Sequence, residues 1–121
     1  MIEPRTFTDM MASLAASVTI VTVEGPDEPS GLTVSAFTSV SADPPIVLIC
    51  IDSRSSTLPL LLDAEGFTVN FLPRGAEEVA MLFATPGTDR FGAVGWRRVA
   101  GSGPVLEDAY GYFACRRVEA L

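Results

Sequence analysis

The sequence contains no histidine and no lysine, and these two absences exclude several kinds of catalytic site. Without histidine the chain cannot build a Ser-His-Asp triad or a Cys-His pair. Without lysine it has no Schiff base, no P-loop lysine and no Ser-x-x-Lys pair. All eight basic residues are arginine, so any side-chain cation that holds an anionic ligand is a guanidinium.

Cysteine is also scarce, with only Cys50 and Cys115 in the chain. The two lie far apart inside apolar stretches, so neither a C-x-x-C motif nor a zinc-ligand spacing is present. Free cysteine is among the most frequently buried residue types. The sequence therefore predicts two buried, reduced thiols and no metal site.

Long apolar runs and a basic surplus are absent as well. No run approaches the roughly 18 to 20 residues that a helical membrane span needs, and the N-terminus lacks the pattern of a secretory signal. The formal net charge of -7 repels nucleic acid and anionic membrane surfaces. We therefore expect a cytoplasmic protein that binds neither nucleic acid nor membranes.

The apolar content of the chain is sufficient for one compact domain. With 121 residues, of which 48% are apolar and 19% are charged, the chain is predicted to form a single domain over residues 1–121. No repeat, linker or low-complexity tract divides it.

Hydrophobic patterning predicts about six strands and three short helices. The strands are predicted at residues 17–23, 32–41, 46–51, 67–72, 96–99 and 110–118. The run 46–51 is continuously apolar and is predicted to be a buried central strand. Because no βαβ unit repeats along the chain, this order of strands and helices favours a mainly antiparallel barrel over a doubly wound sheet.

Two threonines are predicted to cap helices. Thr6, with Asp9 three residues later, fits an N-cap, and Thr57 precedes a short helix over residues 58–62. After the first cap, an apolar face is predicted at Phe7, Met10, Met11, Leu14 and Ala15. A third helix is predicted over residues 76–84.

The segment 32–41 alternates between an aliphatic face and a face that carries hydroxyls around one aromatic ring. That second face consists of Thr33, Ser35, Phe37, Ser39 and Ser41. One strand later comes the loop Asp52-Ser53-Arg54-Ser55-Ser56-Thr57, which combines hydroxyls, loop amides and a guanidinium, the groups that bind a phosphate. On spacing alone, however, ordinary exposed strand and turn residues are the favoured explanation, and periodicity does not name a ligand.

Several motifs that follow one another along the chain resemble the flavin reductase-like, FMN-binding split-barrel family. They are residues 7–23, the block Gly31-Leu32-Thr33-Val34-Ser35-Ala36-Phe37-Thr38-Ser39-Val40-Ser41, Asp43-Pro44-Pro45, the cluster 53–57, Phe67-Thr68-Val69-Asn70, Phe83-Ala84 and Asp89-Arg90-Phe91. The resemblance implies a mainly β fold, an antiparallel split barrel of about six strands with Greek-key order and short flanking helices. It also implies a homodimer that binds flavin near the subunit interface.

Residue by residue, the resemblance implies three groups of flavin contacts. The flavin ring is expected along Thr33, Val34, Ser35, Ala36 and Phe37. The ribityl phosphate is expected near Ser39, Ser41, Asp52, Ser53, Arg54, Ser56 and Thr57. Arg90 and Phe91 are expected to close the site, although an arginine and an aromatic residue in a loop fit a dimer contact equally well.

The chemistry that the resemblance implies is hydride transfer from NADH or NADPH to N5 of FMN or FAD, which supplies reduced flavin to a partner such as a flavin-dependent monooxygenase. Because the cofactors carry the reaction, no catalytic side chain is predicted. Family members continue beyond a position like Leu121 with a Gly-Asp-His segment and a last strand, so we expect this chain to lack the family's C-terminal segment. Two alternatives remain: a non-catalytic flavin-binding or partner-binding split barrel, and an apolar barrel that serves only assembly.

Overall fold

The computed structural model describes residues 1–14, 18–87 and 89–121, with the side chains of all of these except residues 11–14. Within these ranges the chain forms three helices and eight strands. In chain order they are α1 (Pro4–Leu14), β1 (Val18–Glu24), β2 (Pro29–Val34), β3 (Phe37–Ala42), β4 (Pro45–Ile49), α2 (Leu58–Asp63), β5 (Gly66–Leu72), α3 (Glu77–Ala84), β6 (Trp96–Arg97), β7 (Val105–Leu106) and β8 (Gly111–Arg116).

A four-stranded antiparallel sheet, in the order β2-β1-β5-β8, forms the centre of the molecule. Its residues alternate between two faces, and both faces are covered, so β1 is buried from Thr19 through Val23. β3 pairs only with β4 and β6 only with β7 among the described residues, and both pairings are antiparallel. Six of the eight strands have five or more residues, but they are not the six predicted ones, because the predicted strand 32–41 is divided into β2 and β3 and the predicted strand 96–99 is reduced to the two residues of β6.

The first face of the central sheet carries the larger apolar core. Its buried members are Val21, Val23, Val34, Leu61, Val69 and Phe71. Phenylalanine rings run through this core from α1 to β3, with centroid distances of 5.7 Å for Phe7–Phe113, 5.0 Å for Phe71–Phe113 and 5.6 Å for Phe37–Phe71. These rings link α1 and the β3–β4 ribbon to the sheet.

The second face is covered by α3 and by residues 96–106, which we call the arm. Ile20, Leu72, Phe83 and Leu106 are buried here. The 76–84 helix prediction is confirmed, because Val79, Ala80 and Leu82 pack against this cluster alongside the fully buried Phe83.

The predicted strand 32–41 is wrong as a single element, because the chain leaves one sheet and enters another within it. β2 ends at Val34 and β3 begins at Phe37. At the break, the Phe37 amide donates to the Ser35 carbonyl at 3.1 Å, which turns the chain out of the central sheet. Ser35 and Ala36 therefore form an exposed corner between two sheets.

The prediction of a buried central strand at residues 46–51 is also wrong. β4 is one half of a two-stranded ribbon, none of its residues is fully buried, and Leu48 is 47% exposed. An apolar run reaches full burial only with cover on both faces, and the ribbon has such cover on its inner side alone, where Ile49 packs on the first core.

The predicted N-cap at Thr6 and the predicted burial of both cysteines are also corrected by the structure. Thr6 lies inside α1, which begins at Pro4, and its hydroxyl donates to Glu3 Oε1 at 3.0 Å instead of capping the helix. Cys50 is exposed and Cys115 half-buried, since one follows the ribbon and the other lies on the edge strand β8. Burial still raises the pKa of the Cys115 thiol to about 11.

Part of the predicted first helical face lies outside the described residues, namely Ala15 and the side chains of Met11 and Leu14. Ser17, the predicted start of the first strand, lies outside them as well. In the part of the chain that the structure describes, no helix is long and apolar enough to cross a membrane.

Candidate functional site

The predicted ring segment and the predicted phosphate loop meet at one end of the β3–β4 ribbon. Phe37 pairs with Ile49, and the Cys50 amide donates to the Ala36 carbonyl at 3.0 Å. Asp52 follows two residues after Cys50. We call the exposed residues at this place the ribbon end: Ser35, Ala36, Asp52, Ser53, Arg54 and Ser56.

The loop at the ribbon end is ordered by its own hydrogen bonds. Asp52 Oδ1 accepts from the Arg54 amide at 2.8 Å and from Arg54 Nε at 3.1 Å, while Asp52 Oδ2 accepts from Arg54 Nη2 at 2.9 Å. The Ser55 amide donates to the Asp52 carbonyl at 3.0 Å, and Ser55 Oγ accepts from the Thr57 amide at 3.2 Å. These bonds present the Arg54 guanidinium, 89% exposed, to solvent.

The Asp52–Arg54 pair also fixes the charge state of the carboxyl group. The side-chain hydrogen bonds from Arg54, followed by the bond from its backbone amide, lower the pKa of Asp52 to about 2. The carboxylate is therefore ionised at any pH near neutrality and raises the pKa of Arg54 in return. Because both side chains are exposed, we assign the pair a role in orienting the guanidinium and none in stabilising the fold.

Thr57 does not belong to the exposed loop surface, contrary to the prediction. Its side chain is 1% exposed, and its hydroxyl forms a 2.8 Å hydrogen bond with Ser30 Oγ of β2. It makes no side-chain cap on α2 either. The hydroxyl joins β2 to the start of α2, so it is not available to a phosphate on the surface.

The side chains of Thr33 and Val34 also make their contacts within the chain itself. Thr33 Oγ1 donates to the Ala80 carbonyl of α3 at 2.5 Å, and Val34 is 4% exposed in the first core. Their side chains point to opposite faces of the central sheet, as neighbours in a strand do. Of the five predicted ring contacts, Ser35 and Ala36 are exposed, and Phe37 is half-buried with its ring against Phe71.

Ser39 and Ser41 lie further along β3, away from the ribbon end. Ser39 pairs with Val47, and Ser41 pairs with Ile46 beside the turn that contains the cis Asp43–Pro44 bond. β4 ends at Ile49, and the 52–57 loop begins three residues beyond that end. Ser41 therefore lies near the opposite end of the ribbon from the loop, and its predicted contact with the flavin phosphate stays a prediction.

Arg90 and Phe91 pack on the second face of the central sheet. Arg90 Nη1 donates to the Gly31 carbonyl of β2, and Arg90 Nη2 donates to the Thr85 carbonyl at 3.1 Å. Phe91 stands edge-on to Phe83 and to Trp96, with centroid distances of 5.2 and 5.5 Å. Within one chain Arg90 is bonded to β2 and Phe91 packs against α3, and these contacts do not support their predicted role in closing the flavin site.

Two clefts on the surface contain none of the predicted site residues. One, of about 580 Å³, lies between the Pro73–Ala76 turn, α3 and Asp108. The other, of about 430 Å³, lies beside the ion pair of Arg98 Nε and Glu24 Oε1 at 3.2 Å. The residues of the ribbon end are themselves exposed in the single chain.

Two residues that determine the structure of the ribbon end were not predicted from the sequence. The Cys50 backbone amide joins the two predicted segments, and the Ser30 hydroxyl removes Thr57 from the surface. The position of Cys50, directly between an apolar strand and the polar loop, was a usable signal for the first. No local signal identified Ser30, because it lies 27 residues from Thr57 in the chain.

Together, the antiparallel central sheet, the separate ribbon and the flanking helices define a split β-barrel, as the sequence predicted. The flavin reductase like domain family matches residues 11–121. The chain therefore belongs to that family.

Individual relatives agree with this assignment. The chain is 43% identical over 124 residues to a flavin reductase (NADH) of Kitasatospora aureofaciens, covering 100% of this chain and 65% of the relative. It spans half or less of two further curated relatives from Rhizobium meliloti.

Two solved structures share the fold. The NADH:FAD oxidoreductase SgcE6 of Streptomyces globisporus C-1027, in complex with NAD and FAD fragments, superposes with a TM-score of 0.80 at 32% identity, covering 98% of this chain and 74% of that one. BorF, the flavin reductase component of a bacterial two-component tryptophan halogenase, superposes with a TM-score of 0.76 at 32% identity, covering 96% and 76%.

Proposed function

We propose that this chain is the flavin-binding part of a reductase that transfers hydride from NADH or NADPH to FMN or FAD. Membership of the flavin reductase like family supports the reaction class. The observation that carries the location of the site is the hydrogen bond between Cys50 and Ala36, which places the Ser35–Ala36 corner beside the Asp52–Ser56 loop. A ring and its phosphate could contact these two segments at the same time.

The residues of the ribbon end fit a phosphorylated flavin in their chemistry. The exposed residues Ser35 and Ala36 can offer their backbone amides and the Ser35 hydroxyl to the polar edge of a flat heterocycle, while their carbonyls accept bonds from Phe37 and Cys50. The hydroxyls of Ser53 and Ser56 and the guanidinium of Arg54 supply the short donors and the cation that a phosphate needs.

When bound, flavin and nicotinamide supply the hydride-transfer chemistry themselves. The chain's part is to orient the ring and hold the phosphate, and neither task requires histidine or lysine. In a single chain the ribbon end is open to water, so a second surface has to cover it.

We propose that a second copy of the chain supplies that cover, as the family resemblance implies. The ribbon exposes apolar side chains that a dimer would bury, with Val40 60% and Leu48 47% exposed. By analogy with BorF, the reduced flavin would pass to a separate flavin-dependent oxygenase or halogenase.

The proposed function is tested by flavin titration and by NADH oxidation. Addition of the protein to FMN or FAD is expected to change flavin fluorescence with a saturable dependence, and NADH is expected to be consumed in the presence of flavin. Binding without NADH consumption would support the flavin-binding barrel instead of the reductase. Absence of binding to either flavin would contradict both.

Arg54→Ala is expected to weaken FMN binding by roughly fivefold, because a charge-assisted contact to the phosphate is lost at an exposed site. Riboflavin, which lacks the phosphate, should bind wild type and variant equally. Arg116→Ala, which removes an exposed arginine on the edge strand β8, is the matched control. An equal loss of riboflavin and FMN affinity in Arg54→Ala would contradict a phosphate contact at this residue.

A further inference from the structure

The cation of the proposed phosphate site is already paired with an anion. Residues 52–57 contain one basic residue, Arg54, and one acidic residue, Asp52. Asp52 holds the Nε and Nη2 edge of the guanidinium with bonds of 3.1 and 2.9 Å. The loop therefore offers hydrogen-bond donors but almost no net positive charge.

A phosphate that contacts the other edge of the Arg54 guanidinium comes within about 5 Å of the Asp52 carboxylate, because only the width of the guanidinium separates the two anions. Through water, repulsion at that distance changes affinity by about two- to fourfold for each unit of ligand charge. The cost therefore depends on how much charge the phosphate carries.

The two flavin nucleotides differ in this respect. A phosphate monoester, as in FMN, has a second pKa near 6 and is close to a dianion at neutral pH. A diphosphate ester, as in FAD, carries the same total charge at neutral pH, but the charge is divided between two monoanionic phosphates, and the second phosphate lies further from Asp52 than the one that contacts Arg54. Asp52 therefore repels the FMN phosphate more strongly than the corresponding phosphate of FAD.

From this geometry we propose that Asp52 is a specificity-determining residue, which shifts the preference of the ribbon-end site from flavin mononucleotide toward flavin dinucleotide. The inference rests on the proposed function, because it requires that the Asp52–Ser56 loop contacts the flavin phosphate. It extends that function by assigning to one carboxylate the discrimination between two substrate classes.

Asp52→Asn isolates the charge from the loop structure. The asparagine Oδ1 still accepts from the Arg54 amide, a bond of 2.8 Å in the wild type, so the turn is kept while the negative charge is removed. Because the pKa of Asp52 is about 2, lowering the pH toward about 5 titrates the FMN phosphate and leaves Asp52 ionised.

The experiment measures dissociation constants for FMN and FAD by fluorescence titration at low ionic strength. In Asp52→Asn, the ratio of the FMN constant to the FAD constant is expected to fall about 1.5-fold at neutral pH. This change should diminish in high salt, and its sign should reverse at about pH 5, where FMN carries one phosphate charge and FAD still carries two. Asp108→Asn, an exposed carboxylate beside α3 on the second face, is the matched control and should leave the ratio unchanged.

The possible outcomes separate this inference from the proposed function. If wild type and variant bind both flavins with the same ratio, or if both affinities rise equally, Asp52 does not discriminate and the inference is overturned while the flavin site stands. If neither flavin binds, the proposed function fails and the inference fails with it. A ratio change of the same sign at about pH 5 would also overturn the inference, because the ligand charge would not be its cause.

Discussion

Gly103→Ala is expected to unfold the protein or to lower its free energy of unfolding by more than about 3 kcal/mol. Gly103 is buried where the arm crosses the central sheet. A Cβ atom at this position would lie 2.0 Å from the Thr22 carbonyl oxygen and 2.7 Å from the Val23 amide nitrogen. Both atoms belong to the backbone of β1, which is paired on both sides and cannot move away.

Urea denaturation followed by circular dichroism measures this effect. Gly111→Ala is the matched control, because a Cβ there meets its nearest atoms, Met10 Cε and Phe71 Cδ2, at 3.9 and 4.0 Å, which is ordinary contact. We expect the control to stay within about 1 kcal/mol of wild type. Equal stabilities for the two variants would show that the arm does not pack against β1 as described.

Asn70→Leu is expected to lower the free energy of unfolding by about 3 kcal/mol, because it removes the centre of a buried hydrogen-bond network while it keeps the branching of the side chain at Cγ. Asn70 is fully buried in β5. Its Oδ1 accepts from the Leu106 amide of the arm at 2.9 Å, and its Nδ2 donates to the Ile20 carbonyl and Thr22 Oγ1 at 3.1 and 3.2 Å. Leucine leaves the Leu106 amide without this partner.

Thr68→Val provides the comparison for this prediction. It removes a single bond, the 2.6 Å donation from Thr68 Oγ1 to the Gly103 carbonyl, and should cost about 1 kcal/mol. Trp96, the only tryptophan in the chain, pairs with Leu106 and so reports on the arm. We expect the emission of Trp96 to shift to longer wavelength in Asn70→Leu. If Asn70→Leu proves no less stable than Thr68→Val, Asn70 is not the centre of the hydrogen-bond network.

Gly103→Ala and Asn70→Leu both act on the second face of the central sheet, and neither residue belongs to the ribbon end. They matter for function because the arm, Phe91 and α3 form one cluster with Phe83. α3 in turn accepts the hydroxyl of Thr33 in β2, the strand that leads directly into the Ser35–Ala36 corner. The position of that corner therefore depends on packing on both faces of the sheet.

The sequence predicted the elements well where local periodicity decides them. β1, β5, β8 and the helices α2 and α3 lie within a few residues of their predicted positions, because alternation and helical spacing are local properties. The prediction of a single strand over residues 32–41 failed, because polar and apolar side chains continue to alternate where the chain leaves one sheet and enters another.

For the candidate site, local reasoning identified the residue types but not their availability. Ser35, Ala36, Ser53, Arg54 and Ser56 are exposed, as a binding surface requires. Of the predicted hydroxyl face, only the part at Ser35 lies beside the polar loop, because the bond between Cys50 and Ala36 joins that corner to the end of β4.

By itself, the sequence determined the family, the antiparallel class and the exclusion of histidine- and lysine-based catalysis, because these follow from composition and from the order of motifs. Only the tertiary structure decided which hydroxyls are free. Thr33 bonds to Ala80 and Thr57 to Ser30, partners 47 and 27 residues away. No local pattern encodes such pairings, because they arise only when the sheets and helices pack together.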